Sequence, residues 1–270
     1  MNVKMTPIEG LLKSRGFRLH YLIFGGSGEK LVLLHSMGMD AHSFDEFSNS
    51  LKKDYQLLAF DILDHGESEK PKEPVGLLEH AETIRDGYRQ LGFFPNVLIG
   101  HSIGGRIGMV LTAEYPEEFK GLILVDIAPI DPSRKYTPPP PPPEFFEDEE
   151  DARKYLKIRY PNLSDKYVEN RLKYAFTRDE KGRLKLKLYG DVIRSSPFID
   201  LWPYLEKIKI PTLLILGKES TLVSPTTLDK MRGIIPGLEV STVEGASHMV
   251  PQDKPVEFEE LIRNFLKKIL

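Results

Sequence analysis

Gly100-His101-Ser102-Ile103-Gly104 is the stretch of this sequence best suited to covalent chemistry. It follows three apolar residues, Val97-Leu98-Ile99, and runs into a segment whose apolar positions Ile107, Val110, Leu111 and Tyr115 recur at helical spacing. Strand, sharp turn and helix in that order lift a serine hydroxyl above a sheet edge and aim the first helical N–H groups at whatever it attacks. Gly100 and Gly104 remove the Cβ atoms that would collide where strand and helix close on the turn. The chemistry such a serine can do is acyl transfer. Its hydroxyl is a weak nucleophile until a base takes the proton, and the base needs a third group to hold its tautomer.

Seven histidines compete for the role of base. His20, His42 and His80 fall inside strand or helix patterns. His35, His65 and His101 precede serine or glycine at strand ends, where backbone roles are expected. His248 alone lies in a loop beyond the last strand and after every candidate acid, which is the order a nucleophile-elbow enzyme requires. The acid has two candidates. The loop after Thr212-Leu213-Leu214-Ile215-Leu216-Gly217 carries Glu219, but has Ser220 where an aspartate is expected. Asp126 ends the apolar run before that loop, one crossover helix away from Ser102. Neighbouring parallel strands lie about 4.8 Å apart, so both side chains emerge at one carboxyl edge. Asp126 is preferred and Glu219 comes second. For the oxyanion, the backbone N–H of Ile103 is one expected donor. Met37 in His35-Ser36-Met37-Gly38 is the other, with Ser36 standing where glycine is usual.

The elements that must hold these residues are short apolar strands alternating with amphipathic helices. Leu31–Leu34, Gln56–Phe60, 97–101, 121–125 and 212–216 read as buried parallel strands. Residues 17–23 read as an early antiparallel one, and 238–243 as the last. Helices follow at 77–91, stopped by Gly92, at Ser224-Pro225 and from Pro255 to the end. The pattern predicts an α/β fold, a mostly parallel sheet with both faces covered. It breaks at Asp131. Pro138 to Pro143 reads as a polyproline II spacer, and Glu144 to Asp151 holds six acids in eight residues. The bases that follow suggest i,i+4 pairs Glu149–Arg153 and Glu150–Lys154 on a solvated helix. A second helix from Ser164 is expected to bury Val168, Leu172 and Phe176, with an extended stretch over 183–188. Residues 132–203 therefore read as a mainly helical cap inserted into a core of 1–131 and 204–270. Its aromatic residues suit the roof of a pocket, a small core of the cap's own, or both.

With 270 residues, 40% of them hydrophobic, the chain suits one large domain with an insertion. A net charge of −3 gives no basic surface for nucleic acid, and no run is long enough to span a membrane. Without cysteine there is no disulfide framework and no thiolate metal site, and a cytoplasmic enzyme is the expectation.

Four stretches resemble the α/β-hydrolase fold, and within it a small group of bacterial short-chain acyl-CoA and carboxyl esterases and related mitochondrial α/β-hydrolase-domain proteins. They are Asp61-x-x-Asp64-His65-Gly66-x-Ser68, Gly100-His101-Ser102-x-Gly104-Gly105, Val125-Asp126-Ile127-Ala128-Pro129 and Gly245-Ala246-Ser247-His248. In that group too a serine holds the usual acid position, and the aspartate of Asp-Ile-Ala-Pro serves instead. The resemblance implies a serine hydrolase with the triad Ser102, Asp126 and His248, acting on a small-molecule ester or thioester without cofactor or metal. It covers the core; the cap is similar in position only. Carbon–carbon bond hydrolysis and perhydrolysis use the same residues, and a ligand-binding protein on a retained fold is the reading from outside enzymology. Whether the chain forms a homo-oligomer is left open by the sequence.

Overall fold

The computed structural model describes residues 7–129, 140–187 and 199–270. Among these, eight strands form one sheet: β1 (Ile8–Ser14), β2 (Phe17–Phe24), β3 (Lys30–Leu34), β4 (Gln56–Phe60), β5 (Asn96–His101), β6 (Phe119–Val125), β9 (Thr212–Gly217) and β10 (Glu239–Val243). Their order is β1-β2-β4-β3-β5-β6-β9-β10. The pairs from β4 to β10 are parallel, and β2 is antiparallel to both of its neighbours. Sequence reasoning did not foresee β1. It is an edge strand with Ile8 and Leu11 both exposed, so its apolar residues do not sort onto one face.

The sheet is buried on both sides because its central strands carry unbroken apolar runs, such as Leu31–Leu34, Leu57–Phe60, Val97–Ile99 and Leu122–Val125. Along β3, Val32 and Leu34 pack with Ile84 and Tyr88 of α2 (Leu77–Gln90) and with Ile107 and Leu111 of α3 (Ile103–Glu114). Leu31 and Leu33 face the other way, against Phe47 and Leu51 of α1 (Asp45–Leu51) and the Phe258, Ile262 and Phe265 stripe of the C-terminal helix Pro255–Ile269. Each such leucine, fully buried, contributes about 1.5–3 kcal/mol of transfer free energy. The rigid layer so formed presents the carboxyl ends of β3, β5, β6 and β9 along one edge.

Between β6 and β9 lie α4 (Glu149–Arg159), α5 (Asp165–Tyr174) and a hairpin of β7 (Phe176–Arg178) and β8 (Leu184–Leu186). Both helices are capped from the sequence. Asp148 accepts from Asp151 N at 2.9 Å, and Ser164 Oγ accepts from Tyr167 N at 3.3 Å. Phe146, Leu156, Val168, Phe176 and Leu184 close into a small core apart from the sheet, with Phe146 against the rings of Tyr155 and Phe176. Two local expectations change. Phe176 sits in β7, because α5 ends at Tyr174. Arg153 does not pair with Glu149: it turns to Glu169 of α5 and to Glu150, while Glu149 is taken by Arg178. Interhelical partners compete successfully with the i,i+4 neighbour. The expected boundary at 131–132 and residues 138–139 of the proline run lie outside the described residues. At the other end, α6 (Trp202–Leu205) already places Leu205 in the sheet's core. The remaining helices are α7 (Pro225–Ile234), α8 (Val250–Asp253) and α9, the C-terminal helix. Among the described residues no helix is long and apolar enough to cross a membrane.

Candidate active site

Ser102 follows β5 directly and is the N-cap of α3, at φ 54 and ψ −115. A non-glycine residue in the left-handed region is strained, and such strain collects where geometry matters more than stability. What holds it is close packing. A Cβ at Gly100 would lie 2.5 Å from the Gly104 carbonyl oxygen, and one at Gly104 would lie 2.3 Å from that of Leu34. Strand β5, helix α3 and the end of β3 are thus in backbone contact around the serine.

The parallel register of β5 and β6 pairs His101 with Val125, so Ser102 and Asp126 are the next residues on adjacent strands. The Ser102 amide donates to Val125 O at 3.1 Å, and the Asp126 amide to Ile215 O at 2.7 Å. Asp126 also adopts positive φ, at 44. Its carboxylate is 1% exposed and fully engaged. Oδ1 accepts from Gly217 N at 3.2 Å, and Oδ2 accepts from Ser220 Oγ at 2.5 Å and from His248 Nδ1 at 2.7 Å. A carboxylate only accepts, so Nδ1 carries the imidazole proton and Nε2 is left with its lone pair. Glu219 is exposed, its backbone amide bonded to Ala246 O. Ser220, where an acid is usual, turns its hydroxyl onto the acid that came from the neighbouring strand. That hydrogen bond was not foreseen from the sequence; the serine in an aspartate's place was its only sign.

The His248 loop is built to hold one shape. Asp253 Oδ2 accepts from the amide and the hydroxyl of Ser247, at 2.8 and 2.6 Å, and Ser247 Oγ accepts from Met249 N. His101 Nε2 donates to the His248 carbonyl at 2.8 Å, fixing the histidine to the residue next to Ser102. A carbonyl only accepts, so His101 serves here as a neutral donor. Burial, and then the neighbouring His248, push its pKa well below the ordinary value. Among the described residues Ser102 Oγ makes no hydrogen bond.

Met37 lies in the loop after β3, and Ile103 is the first residue of α3. Neither amide donates a hydrogen bond among the described residues. Met37 lies in a tight turn closed by Met39 N to Ser36 O at 3.0 Å, with Gly38 at φ 81 as such a turn demands. His35 joins this loop to the next. Its Nε2 accepts from Ile62 N at 3.0 Å and its Nδ1 donates to Ser36 O at 2.8 Å. Burial lowers its pKa in keeping with a neutral ring.

Asp61 directly follows β4, at the same carboxyl edge of the sheet. Asp61 accepts from Ala41 N, Glu67 N and His20 Nδ1, and its carbonyl accepts from Ser68 Oγ. Burial alone would raise its carboxyl, but the bond and charge of His20 outweigh this and lower it. This motif therefore ties loops together. Among the described residues no group of three or more His, Cys, Asp or Glu is arranged to hold a metal ion.

The sequence profile of the alpha/beta hydrolase fold matches residues 30–182. The mouse sn-1-specific diacylglycerol lipase ABHD11 is 27% identical over 249 residues, 87% of this chain and 80% of the lipase. The 2-(acetamidomethylene)succinate hydrolase of Mesorhizobium japonicum is 26% identical over 247 residues, 89% of each chain. A crystal structure of E-2-(acetamidomethylene)succinate hydrolase superposes with a TM-score of 0.83 over 97% of this chain and 99% of its own, at 24% identity. With the profile spanning more than half of the sequence, and with this sheet order and elbow, the chain belongs to the alpha/beta hydrolase fold family.

Proposed function

We propose that the protein is a serine hydrolase that cleaves carboxylic esters or thioesters of small to medium acyl groups through an acyl-enzyme. The observation that carries this reading is the 2.7 Å bond between His248 Nδ1 and the buried Asp126 carboxylate, on the strand next to the Ser102 elbow. Ser102 Oγ attacks the carbonyl carbon while His248 Nε2 takes its proton. The carbonyl oxygen becomes an oxyanion between the Met37 and Ile103 amides. Asp126 stabilises the imidazolium and keeps the proton on Nδ1. His248 then returns its proton to the departing alcohol or thiol as the acyl–oxygen or acyl–sulfur bond breaks. Water, deprotonated by the same imidazole, releases the acid and restores the serine. A serine at position 102, in place of a carboxylate, suits acyl transfer better than epoxide opening. The 132–203 insertion is read as a cap over this site.

The test is a set of aryl esters from acetate to laurate with one acyl-CoA, run beside a fluorophosphonate probe. Turnover, with labelling that is lost in Ser102→Ala, is expected. A Ser102→Ala enzyme that turns over as fast as the parent would refute the assignment. A carbon–carbon hydrolase would instead favour a vinylogous diketone, and a ligand-binding protein would take no label.

A further inference from the structure

One charged side chain of the insertion is buried against the turn that carries Met37. Arg171 of α5 is 4% exposed. Its Nη2 donates to the Gly38 carbonyl at 2.7 Å, and its Nη1 to Asp40 Oδ2 at 2.6 Å. The guanidinium therefore grips both sides of the Gly38–Asp40 segment, one residue beyond Met37. The rest of α5 is seated on the helical turn that follows, Ala41–Phe44, and on the start of α1. Tyr174 stacks on His42 with ring centroids 3.4 Å apart, Lys166 Nζ meets Glu46 at 2.8 Å, and Asn170 Nδ2 donates to Asp45 Oδ2 at 3.1 Å.

The Arg171–Asp40 pair is poorly suited to a purely stabilising role. Among the described residues Asp40 Oδ1 and Arg171 Nε are buried without partners. A buried ion pair left partly unsatisfied contributes little net stability, because desolvation offsets its attraction. What the pair does supply is a fixed position for one turn of backbone. That turn needs fixing. Its Gly38 sits at positive φ, where the backbone is least constrained by its own side chain, and Ser36 replaces a usual glycine.

We propose that Arg171 is a positioning residue for the oxyanion site: it couples the seating of α5 to the aim of the Met37 amide. The inference rests on the assignment of Met37 as an oxyanion donor. It makes turnover depend on a side chain of the insertion that touches neither substrate nor reacting atoms. A loosened donor is felt in the transition state more than in the bound ester, so kcat falls and KM changes little.

The test uses the full chain and three variants with an aryl butyrate. Arg171→Met leaves Asp40 buried and uncompensated, so Arg171→Met/Asp40→Asn is made beside it to remove the charge imbalance. Both are expected to lose about ten- to hundredfold in kcat, somewhat less than the removal of an oxyanion donor. Affinity for a boronic acid analogue of the tetrahedral state is expected to fall in parallel. Arg171→Lys keeps a cation but not the two-armed grip, and is expected to recover thermal stability without full kcat. A double variant with wild-type kcat would overturn the proposal. Should the variants fail to fold, hydrogen exchange on the wild-type protein decides. Phosphonylation of Ser102 is expected to slow exchange in 36–40 and in 165–174 together, and slowing in the first alone overturns the coupling. Turnover that survives Ser102→Ala would refute the site itself and the proposal with it. Ser102-dependent turnover that is indifferent to Arg171 would remove only the coupling.

Discussion

Asp126→Asn is the change that most directly tests how the site works. In the wild type, Asp126 Oδ2 accepts from both His248 Nδ1 and Ser220 Oγ, while Oδ1 accepts from Gly217 N. An asparagine has one acceptor and one donor in those places. If its NH₂ faces His248, the imidazole must present a bare Nδ1 and carry its proton on Nε2, where it can no longer receive one from Ser102. If the amide is flipped, its NH₂ meets the buried Gly217 N–H, at a cost of about 1–3 kcal/mol. Either way the imidazolium loses a carboxylate about 4 Å away, worth about 4 kcal/mol at an effective dielectric constant of 20. Together these raise the barrier by about 5–7 kcal/mol, a loss of about 10⁴- to 10⁵-fold in kcat. The assay is steady-state hydrolysis of an aryl butyrate, with a melting curve to show that the fold survives. A kcat within about tenfold of wild type, or a collapse of turnover in Glu219→Gln, would refute the reasoning and return the acid to the loop after β9.

Three further outcomes are expected. Ser220→Ala removes one of three hydrogen bonds to Asp126 and should lower stability by about 1.5–3 kcal/mol in denaturant titration, with kcat within about fivefold of wild type. Gly104→Ala places a methyl 2.3 Å from Leu34 O and should cost about 1–3 kcal/mol while lowering turnover, since the end of β3 and the first turn of α3 must part. His80 is 2% exposed, and burial lowers its pKa to about 4, against 6.5 when unfolded. The unfolded chain therefore takes up this proton first, and stability falls as pH drops from 6.5 toward 4, by roughly 2 kcal/mol at pH 5. His80→Leu should remove that share of the acid sensitivity in unfolding measured at pH 7 and pH 5, and an unchanged difference between the two pH values would contradict it.

What could be read from the sequence was whatever depends on neighbours in the chain or on a repeated pattern. Gly100 and Gly104 flank Ser102 within five residues, and apolar runs such as Leu31–Leu34 announce strands buried on both faces. The adjacency of Asp126 to Ser102 needed only the rule that a short crossover joins parallel neighbours. The contacts that escaped join distant segments. Ser220, after β9, reaches Asp126 at the end of the neighbouring strand β6, and Arg171 of α5 finds Asp40 from a segment whose docking no local pattern encodes. Arg171 did leave a trace: it lies three residues after Val168 on the buried side of α5, a charge in an apolar position. Arg153 was misassigned for the same reason, because Glu169 on the next helix competes with the neighbour one turn away.

The positive φ of Ser102 has a consequence for anyone who would improve this protein by selection. A non-glycine residue held in that conformation costs of order 1–3 kcal/mol, and glycine there would relax most of it. A library screened only for survival at high temperature should therefore enrich Ser102→Gly, a sturdier and catalytically dead chain. Alternating the screen with one for ester turnover would hold the serine in place. The gap in melting temperature between Ser102→Gly and wild type would then give the strain stored at the elbow less the added entropy that glycine lends the unfolded chain.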